Sequence, residues 1–436
     1  MLDHQRLKGA PALLLFLWAG TCAGADAVEA SAPPPDAEVI RSLREGVPAL
    51  QLSTDFGSPA LGLGTYRPFG QVESRGVRVA PFTIRAGAHA GIGYNDNVAL
   101  TQTNKISSIV YTLSPAFAVS LEGALARYYA MYRGNYGRYA SSSVDNYEEH
   151  DVLIGAANSW TTRFSSAFNY EYLKGHNPRG ATFAGTGISE QWVLQTLRAA
   201  GSYGAEGAQG RIEADAAWNR LRFTSDPPDA ATREYDSVEL GGTFFYRIAP
   251  KTRALVRIRR TDVNHPSAPT LDSLEMQYLA GVSWDALASV AGTIRLGHMT
   301  KDFSSPSFED FSGPSYEGAV TWSPRTYSVV ELSAKRAFGE TQEVGSSFVV
   351  NDASTLSWNH QWPRAIRSTA VYTYGRVSQE GLGRTDTYHR AGLKVTYGIR
   401  RWLQAGAEYR YDTRDSSNTA ADYRRNLTFI TLEAAL

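Results

Sequence analysis

Residues 272–303 alternate apolar and polar side chains over two consecutive stretches. The first carries an apolar residue at every second position, namely Leu274, Met276, Tyr278, Ala280, Val282 and Trp284. After a short connection at 286–289 the period returns, with Val290, Ile294 and Leu296 on one face. A period of two with a tight reversal predicts a β-hairpin. Each strand is about ten residues or longer, the length that a tilted strand needs to cross a bilayer.

The same alternation recurs from Phe82 to the C-terminus and predicts about eighteen strands. We expect them near 82–92, 109–121, 127–139, 147–160, 163–174, 190–202, 210–224, 233–248, 252–264, 272–286, 289–303, 314–322, 326–338, 347–362, 365–377, 385–398, 402–413 and 423–436. Pro115 falls inside the second of these strands, where its missing N–H predicts a β-bulge. The fold class is therefore all-β.

The connections between these strands alternate between short and long. Short turns rich in Pro or Gly include 248–251, 323–325 and 363–364. Long polar connections include 95–108 and 174–189. Short turns on one rim and long loops on the other are typical of bacterial outer-membrane barrels. An even number of strands places both ends of the sheet on the short-turn side.

The solvent around such strands decides whether the sheet must close. Lipid offers no partner to a backbone amide, so a sheet in a membrane closes on itself. We therefore predict a transmembrane antiparallel up-and-down β-barrel rather than a water-soluble sandwich. The repeated Tyr128, Tyr132 and Tyr136 fit the aromatic girdles of such a barrel.

The N-terminus has a different composition from the strands. Arg6 and Lys8 precede an apolar core at 10–19, and small residues end it at 23–25, so 1–25 is predicted to be a secretory signal peptide. Cys22 lies within it and fits a lipoprotein anchor poorly. Residues 26–80 form either a periplasmic lead-in or a plug within the lumen, and 81–436 the barrel.

Composition excludes several classes of function. The formal net charge is +0, which gives no attraction to nucleic acid. After residue 25 no continuous apolar run is long enough for a membrane helix. Neither a cofactor motif nor a catalytic Ser/His/Asp motif is recognisable, so we expect no cofactor and no enzyme. A barrel enzyme stays open as an alternative, with His176 and Asp226 in outer loops as the residues to test.

The polar face of the strands is predicted to line a water-filled lumen in which arginine predominates. An arginine-rich aqueous channel suits anionic or hydroxyl-rich solutes. The alternative is that the same charges only form salt bridges that hold the wall. The candidate lumen-lining residues are Arg253, Arg257, Arg259, Arg295, Arg390, Lys394 and Arg410.

Two short acidic stretches could be mistaken for metal sites. The run 148–151 contains Glu, Glu, His and Asp, but adjacent residues of a strand point to opposite faces and cannot converge. The run Asn95-Asp96-Asn97 offers oxygen ligands for calcium, although a turn is the favoured interpretation. We predict no metal site at either.

Two segments resemble a known family. Residues 90–98 (AGIGYNDNV) and the hairpin from Gly281 to Phe303 are similar to the first strand and a central hairpin of the β-barrel porin family associated with exopolysaccharide and capsule biosynthesis and export. The resemblance covers 82–436 and implies an outer-membrane barrel that lets a secreted polysaccharide pass. It also implies a periplasmic and inner-membrane polysaccharide export complex as a partner.

These observations predict a passive channel in the bacterial outer membrane, in contact with lipid and lipopolysaccharide. Its function is expected to be a conduit for exopolysaccharide export. The alternative is a general or solute-specific uptake porin, in which the long connection 174–189 would fold into the lumen. The last strand resembles the C-terminal signal of outer-membrane barrels, although it ends in Leu436 instead of an aromatic residue.

Overall fold

The computed structural model describes residues 76–181, 189–205, 207–225, 227, 229–287, 289–341 and 345–436. The predicted signal peptide at 1–25 and most of the predicted lead-in or plug at 26–80 lie outside the described residues. Within the described ranges no helix is both long and apolar enough to cross a membrane.

Most described residues belong to one antiparallel sheet of 19 strands. The strands are β1 (Val77–Val79), β2 (Phe82–Asn95), β3 (Ser108–Glu122), β4 (Ala126–Tyr139), β5 (Tyr147–Ser159), β6 (Phe164–Asn177), β7 (Glu190–Tyr203), β8 (Gly210–Phe223), β9 (Tyr235–Ala249) and β10 (Thr252–Asn264). They continue with β11 (Ser273–Leu287), β12 (Val290–Phe303), β13 (Phe311–Arg325), β14 (Ser328–Gly339), β15 (Phe348–Trp362), β16 (Ile366–Glu380), β17 (Arg384–Arg400), β18 (Leu403–Ser416) and β19 (Tyr423–Ala435).

Strands β2 to β19 form a closed barrel of 18 strands, which confirms the predicted fold class. Each strand pairs with its neighbours in sequence, and β19 closes the ring by pairing with β2 from Leu427↔Asn95 to Ala435↔Gly87. The three-residue strand β1 pairs antiparallel with the first residues of β2, from Val79↔Phe82 to Val77↔Ile84. These residues lie within 26–80, for which the sequence predicted no strand.

The two rims differ in the length of their connections, as predicted. One rim carries short turns such as 250–251, 326–327 and 401–402, and the other carries long loops such as 96–107 and 178–189. The exception is 381–383, a short connection on the long-loop rim. Three loops there contain one 3₁₀ turn each, at Ser143–Asp145, Pro269–Leu271 and Thr419–Ala421, and a fourth contains a short helix at Ala230–Arg233.

The outward and inward faces of the wall differ as the alternation predicts. On the outward face Leu296 and Ile430 are 63% and 62% exposed, while the inward Leu279 is 2% exposed. Outward tryptophans follow the short-turn rim, namely Trp160, Trp284, Trp322, Trp362 and Trp402. Aromatic girdles of this kind mark the boundary between hydrocarbon and water.

The predicted bulge at Pro115 is absent. The pairs Leu113↔Tyr136 and Ala116↔Arg133 keep one register on both sides of the proline, so no extra residue is inserted. The ladder is interrupted instead. A side-chain hydrogen bond from Ser114 Oγ to Asn135 Oδ1, 3.0 Å long, links the two strands beside the gap.

Candidate functional site: the charged lumen

All seven residues predicted to line the lumen lie on the inward-facing alternation of their strands. Arg253, Arg257 and Arg259 lie on β10, and Arg295 on β12. Arg390 and Lys394 lie on β17, and Arg410 on β18. Five of the seven form described ion pairs, four with carboxylates on other strands and Arg410 with Glu408 on its own strand. Contact of any of them with a solute stays a prediction.

Glu317 on β13 is the centre of an ion-pair network. Its two carboxylate oxygens accept from Arg259 Nη1 at 3.2 Å and from Arg295 Nη1 at 3.1 Å. Arg259 also reaches Glu239 Oε1 at 3.2 Å and donates to Gln277 Oε1 at 2.8 Å. Arg295 is fully buried, so this network stiffens the wall across β9–β13.

Similar ion pairs hold the remaining parts of the inward face. Arg257 donates to both oxygens of Asp215, at 2.8 and 3.0 Å. Lys394 pairs with Glu433 on β19, and Arg410 donates to Glu408 on its own strand at 2.5 Å. Removing one partner of a buried pair leaves an uncompensated charge and costs about 3–5 kcal/mol. These residues therefore stabilise the wall in addition to setting the charge of the lumen.

Charge is not distributed evenly around the lumen. Acidic side chains predominate on one wall, formed by β5–β8, namely Glu149, Asp151, Glu171, Glu190, Glu213 and Asp215. Basic side chains predominate on the other, formed by β10–β18, namely Arg253, Arg257, Arg259, Arg295, Lys301, Lys335, Arg367, Arg390, Lys394 and Arg410. The sheet order places β5–β8 across the barrel from β14–β17. The acidic wall on β5–β8 thus faces the β14–β17 part of the basic wall across the lumen.

A recess opens in the inner wall between these two sectors. Its cavity volume is about 100 Å³. Its polar lining comes from Arg198, Asn219, Glu239, Arg259, Glu275, Gln277, Lys335 and Glu340. Tyr235 and Phe338 add aromatic surface. Amides, carboxylates and cations beside aromatic rings are groups that can bind a hydroxyl-rich or anionic solute.

At the long-loop end of this recess, Lys301 is fully buried between two carboxylates. Its Nζ donates to Glu275 Oε1 at 2.7 Å and to Glu340 Oε1 at 2.8 Å. His265 Nε2 lies 3.3 Å from the other oxygen of Glu340. Burial alone would raise the pKa of Glu340, but the Lys301 ammonium and the His265 hydrogen bond outweigh it and lower that pKa to about 2.

The long connection 96–107 folds inward over the mouth of the barrel. Val98 is buried against the inward-facing Val110, Tyr139 and Leu427. Asn97 Nδ2 donates to the carbonyl of Arg424 at 3.0 Å and fixes the connection to the start of β19. The loop therefore narrows this sector of the mouth.

Residues 178–181, which follow β6, cross to the far side of the closing seam between β19 and β2. Arg414 on β18 donates to the carbonyls of Ala181 at 2.9 Å and Gly180 at 3.0 Å. Arg179 binds Asp145 through Nε–Oδ1 at 2.7 Å, and this hydrogen bond raises the pKa of Arg179. Because β6 and β18 are not neighbours, the segment spans part of the opening.

The other candidate residues make structural contacts where the structure describes them. Glu149 and Asp151 point inward while Glu148 and His150 point outward, as the alternation predicted. The backbone N–H of Asn97 donates to Asn95 Oδ1 at 2.9 Å, which closes the expected turn. His176 lies 3.1 Å from Glu149 Oε1, and Asp226 lies outside the described residues. No group of three or more metal-ligating side chains was found in the described part of the chain.

Residues 67–436 match the family described as "Putative beta-barrel porin 2". The chain belongs to this family. The family and the closed barrel together establish a porin-type protein of the bacterial outer membrane. No curated protein sequence matches the chain.

Solved structures of other outer-membrane proteins share the barrel at low sequence identity. The outer membrane protein opdK of Pseudomonas aeruginosa is 9% identical, with a TM-score of 0.47 over 81% of this chain and 99% of that one. The FrpB iron transporter of Neisseria meningitidis is 10% identical, with a TM-score of 0.44 over 76% of this chain and 62% of that one. A bacterial polysaccharide outer membrane secretin is 11% identical, with a TM-score of 0.34 over 80% and 97%. Because these TM-scores lie below 0.5, no function is carried over from these proteins.

The sequence predicted the inward arginines, because side chains of a strand alternate between the two faces of the wall. It missed the acidic wall, although the order of the strands along the chain contained that signal. The sequence predicted that 174–189 could fold into the lumen, but no residue within that connection indicates that Arg414 would bind it. The partner is more than two hundred positions away in sequence.

Proposed function

We propose that the protein is a passive aqueous channel for small anionic or hydroxyl-rich solutes. The observation that carries this proposal is the excess of acidic side chains on β5–β8 opposite the excess of basic side chains on β14–β17, which belong to the basic wall. Opposed charges across a narrow aqueous passage align polar solutes and favour the anionic end of a solute on the basic side. The inward connections 96–107 and 178–181 restrict the mouth, which favours small solutes. This proposal includes no catalytic turnover.

Ion selectivity tests the role of the basic wall. Lys335 points into the lumen, lines the recess and contributes positive charge beside Glu317. In planar bilayers under a salt gradient, Lys335→Gln should shift the reversal potential toward cation preference. Arg260→Gln is the matched control, because Arg260 lies outward and pairs with Asp262 at 2.8 Å. Equal reversal potentials for the two variants would show that the basic wall does not select solutes.

A second candidate is a conduit for exopolysaccharide export. It is favoured by the sequence resemblance at 90–98 and 281–303, and by the recess, whose lining combines amide, charged and aromatic side chains. Export to the cell surface would engage a periplasmic and inner-membrane polysaccharide complex. Single-channel recording with added polymer separates the two functions. An export conduit should be blocked by polysaccharide from the periplasmic side, whereas a solute porin should be blocked only by short saccharides or small anions.

A further inference from the structure

The wall of the barrel forks between β13 and β14 at the long-loop rim. The last pair of this ladder is Tyr316↔Arg336. Beyond it β13 stays paired with β12 as far as Lys301↔Phe311, and β14 stays paired with β15 as far as Gly339↔Val349. The two strands therefore continue, but no longer with each other.

Pro314 provides the physical reason for the fork. Two steps further along the same register, Pro314 would face Phe338, and a proline has no N–H to donate to a ladder. Ser315 Oγ instead donates to the carbonyl of Arg336 at 3.1 Å. Unpaired backbone groups are too costly in hydrocarbon, so the fork lies above it. The outward side chains at the fork are thereby placed at the level of the lipid headgroups.

A cluster of cationic and aromatic side chains lies on the outward face at this point. Arg336 Nη1 donates to both oxygens of Asp352, at 3.0 and 2.8 Å, and Tyr316 Oη donates to the same carboxylate at 2.9 Å. Arg376 is the register partner of Asp352 on β16 and is exposed. Within the described ranges Arg376 forms no ion pair, so one carboxylate faces two guanidinium groups.

Aromatic side chains continue the cluster along β16 and β17. Tyr374 and Tyr372 are 38% and 45% exposed. His389 contacts both, with its ring 5.5 Å from that of Tyr374 and its Nδ1 2.8 Å from Tyr372 Oη. Tyrosine is typical of the interface between hydrocarbon and headgroups. We call Tyr316, Arg336, Asp352, Tyr374, Arg376 and His389 the fork patch.

The outward pair of Arg260 and Asp262 near this rim is balanced. Two hydrogen bonds of 2.8 and 2.9 Å join them, one cation to one anion. The fork patch, by contrast, has a surplus positive charge held at headgroup level.

We propose that the fork patch binds a phosphate group of lipid A in the outer leaflet of the outer membrane. The long loops place this rim on the cell surface, where phosphorylated lipid A is the anionic lipid that contacts the barrel. Guanidinium groups bind phosphate through charge-assisted, bidentate hydrogen bonds. Arg376 supplies the free donor, and Arg336, oriented by Asp352, lies beside it. This inference does not depend on the solute that the lumen carries.

Lipid binding by the purified, folded protein in detergent tests the proposal. Native mass spectrometry would compare diphosphoryl lipid A, dephosphorylated lipid A and phosphatidylglycerol. We expect preferential binding of diphosphoryl lipid A. Arg376→Gln should weaken it about tenfold, the loss expected for one charge-assisted hydrogen bond. Arg376→Lys should retain more than half of the binding, because it retains the charge.

Arg260→Gln is the matched control and should bind lipid A as the wild type does. Equal binding by Arg376→Gln and Arg260→Gln would overturn the proposal. Equal affinity for phosphatidylglycerol, or displacement of lipid A by inorganic phosphate, would overturn the assignment to lipid A. Arg376 is exposed and holds no described partner, so its variants should fold, and the mobility of unheated samples on a gel checks this.

Discussion

Closure of the barrel depends on one seam between the first and last strands, and Gly93 lies within it. Gly93 on β2 pairs with Phe429 on β19. A Cβ added at Gly93 would lie 2.4 Å from Phe429 Cδ1 and 2.4 Å from the backbone oxygen of Thr428. The carbonyl cannot move without moving the ladder, so Gly93→Ala should strain the seam itself.

The size of this effect follows from two opposing contributions. Overpacking a fitted site costs about 1–3 kcal/mol. Replacing glycine by alanine at an unstrained site stabilises by about 0.4–1 kcal/mol through the unfolded chain. Gly242 on β9 provides the matched control, because an added Cβ there meets nothing within 4 Å. The gain through the unfolded chain is common to both variants and cancels, so Gly93→Ala should be less stable than Gly242→Ala by about 1–3 kcal/mol.

Urea unfolding in detergent micelles, followed by tryptophan fluorescence, measures this difference. Gly93→Ala should unfold at a lower urea concentration than the wild type, and Gly242→Ala at the same or a higher concentration. The mobility of unheated samples on a gel reports the fraction of closed barrel. Coincident unfolding midpoints for the two variants would refute the reasoning that close approach at the seam requires glycine.

Three further predictions concern the ion pairs and the mouth. The lowered pKa of Glu340 contributes stability above its unfolded pKa near 4.5, and this stability should be lost as the pH falls toward 2. Thermal unfolding between pH 5 and 2 should show that loss in the wild type and not in Glu340→Gln. Glu317→Gln should destabilise the barrel by about 3–5 kcal/mol in urea unfolding, because two arginines lose a carboxylate. Arg414→Ala should raise the rate of amide hydrogen exchange at Gly180 and Ala181 at least tenfold, because two charge-assisted hydrogen bonds are lost. An unchanged exchange rate would contradict the role of Arg414 in holding this segment.

The amino-acid sequence determined the strands, their number and the two faces of the wall. Period two is a local property of an extended chain, so Leu274 to Trp284 and Ile430 to Leu436 reveal the outward face without any knowledge of their neighbours. Closure followed from the same pattern, because strands long enough to cross lipid cannot leave an edge unpaired.

Tertiary structure decided what happens inside the mouth and at the interruptions of the ladder. The sequence predicted a bulge at Pro115 and assigned no role to Pro314. At Pro115 the pairing of β3 with β4 is interrupted, but its register is kept. At Pro314 β13 separates from β14 and the wall forks. The residues around Pro115 and Pro314 have the same alternating pattern and do not distinguish the two prolines. The effect of each proline on strand pairing depends on which neighbouring strand it faces. The clamp of Arg414 on Ala181 is likewise set by the curvature that brings distant strands together across the opening.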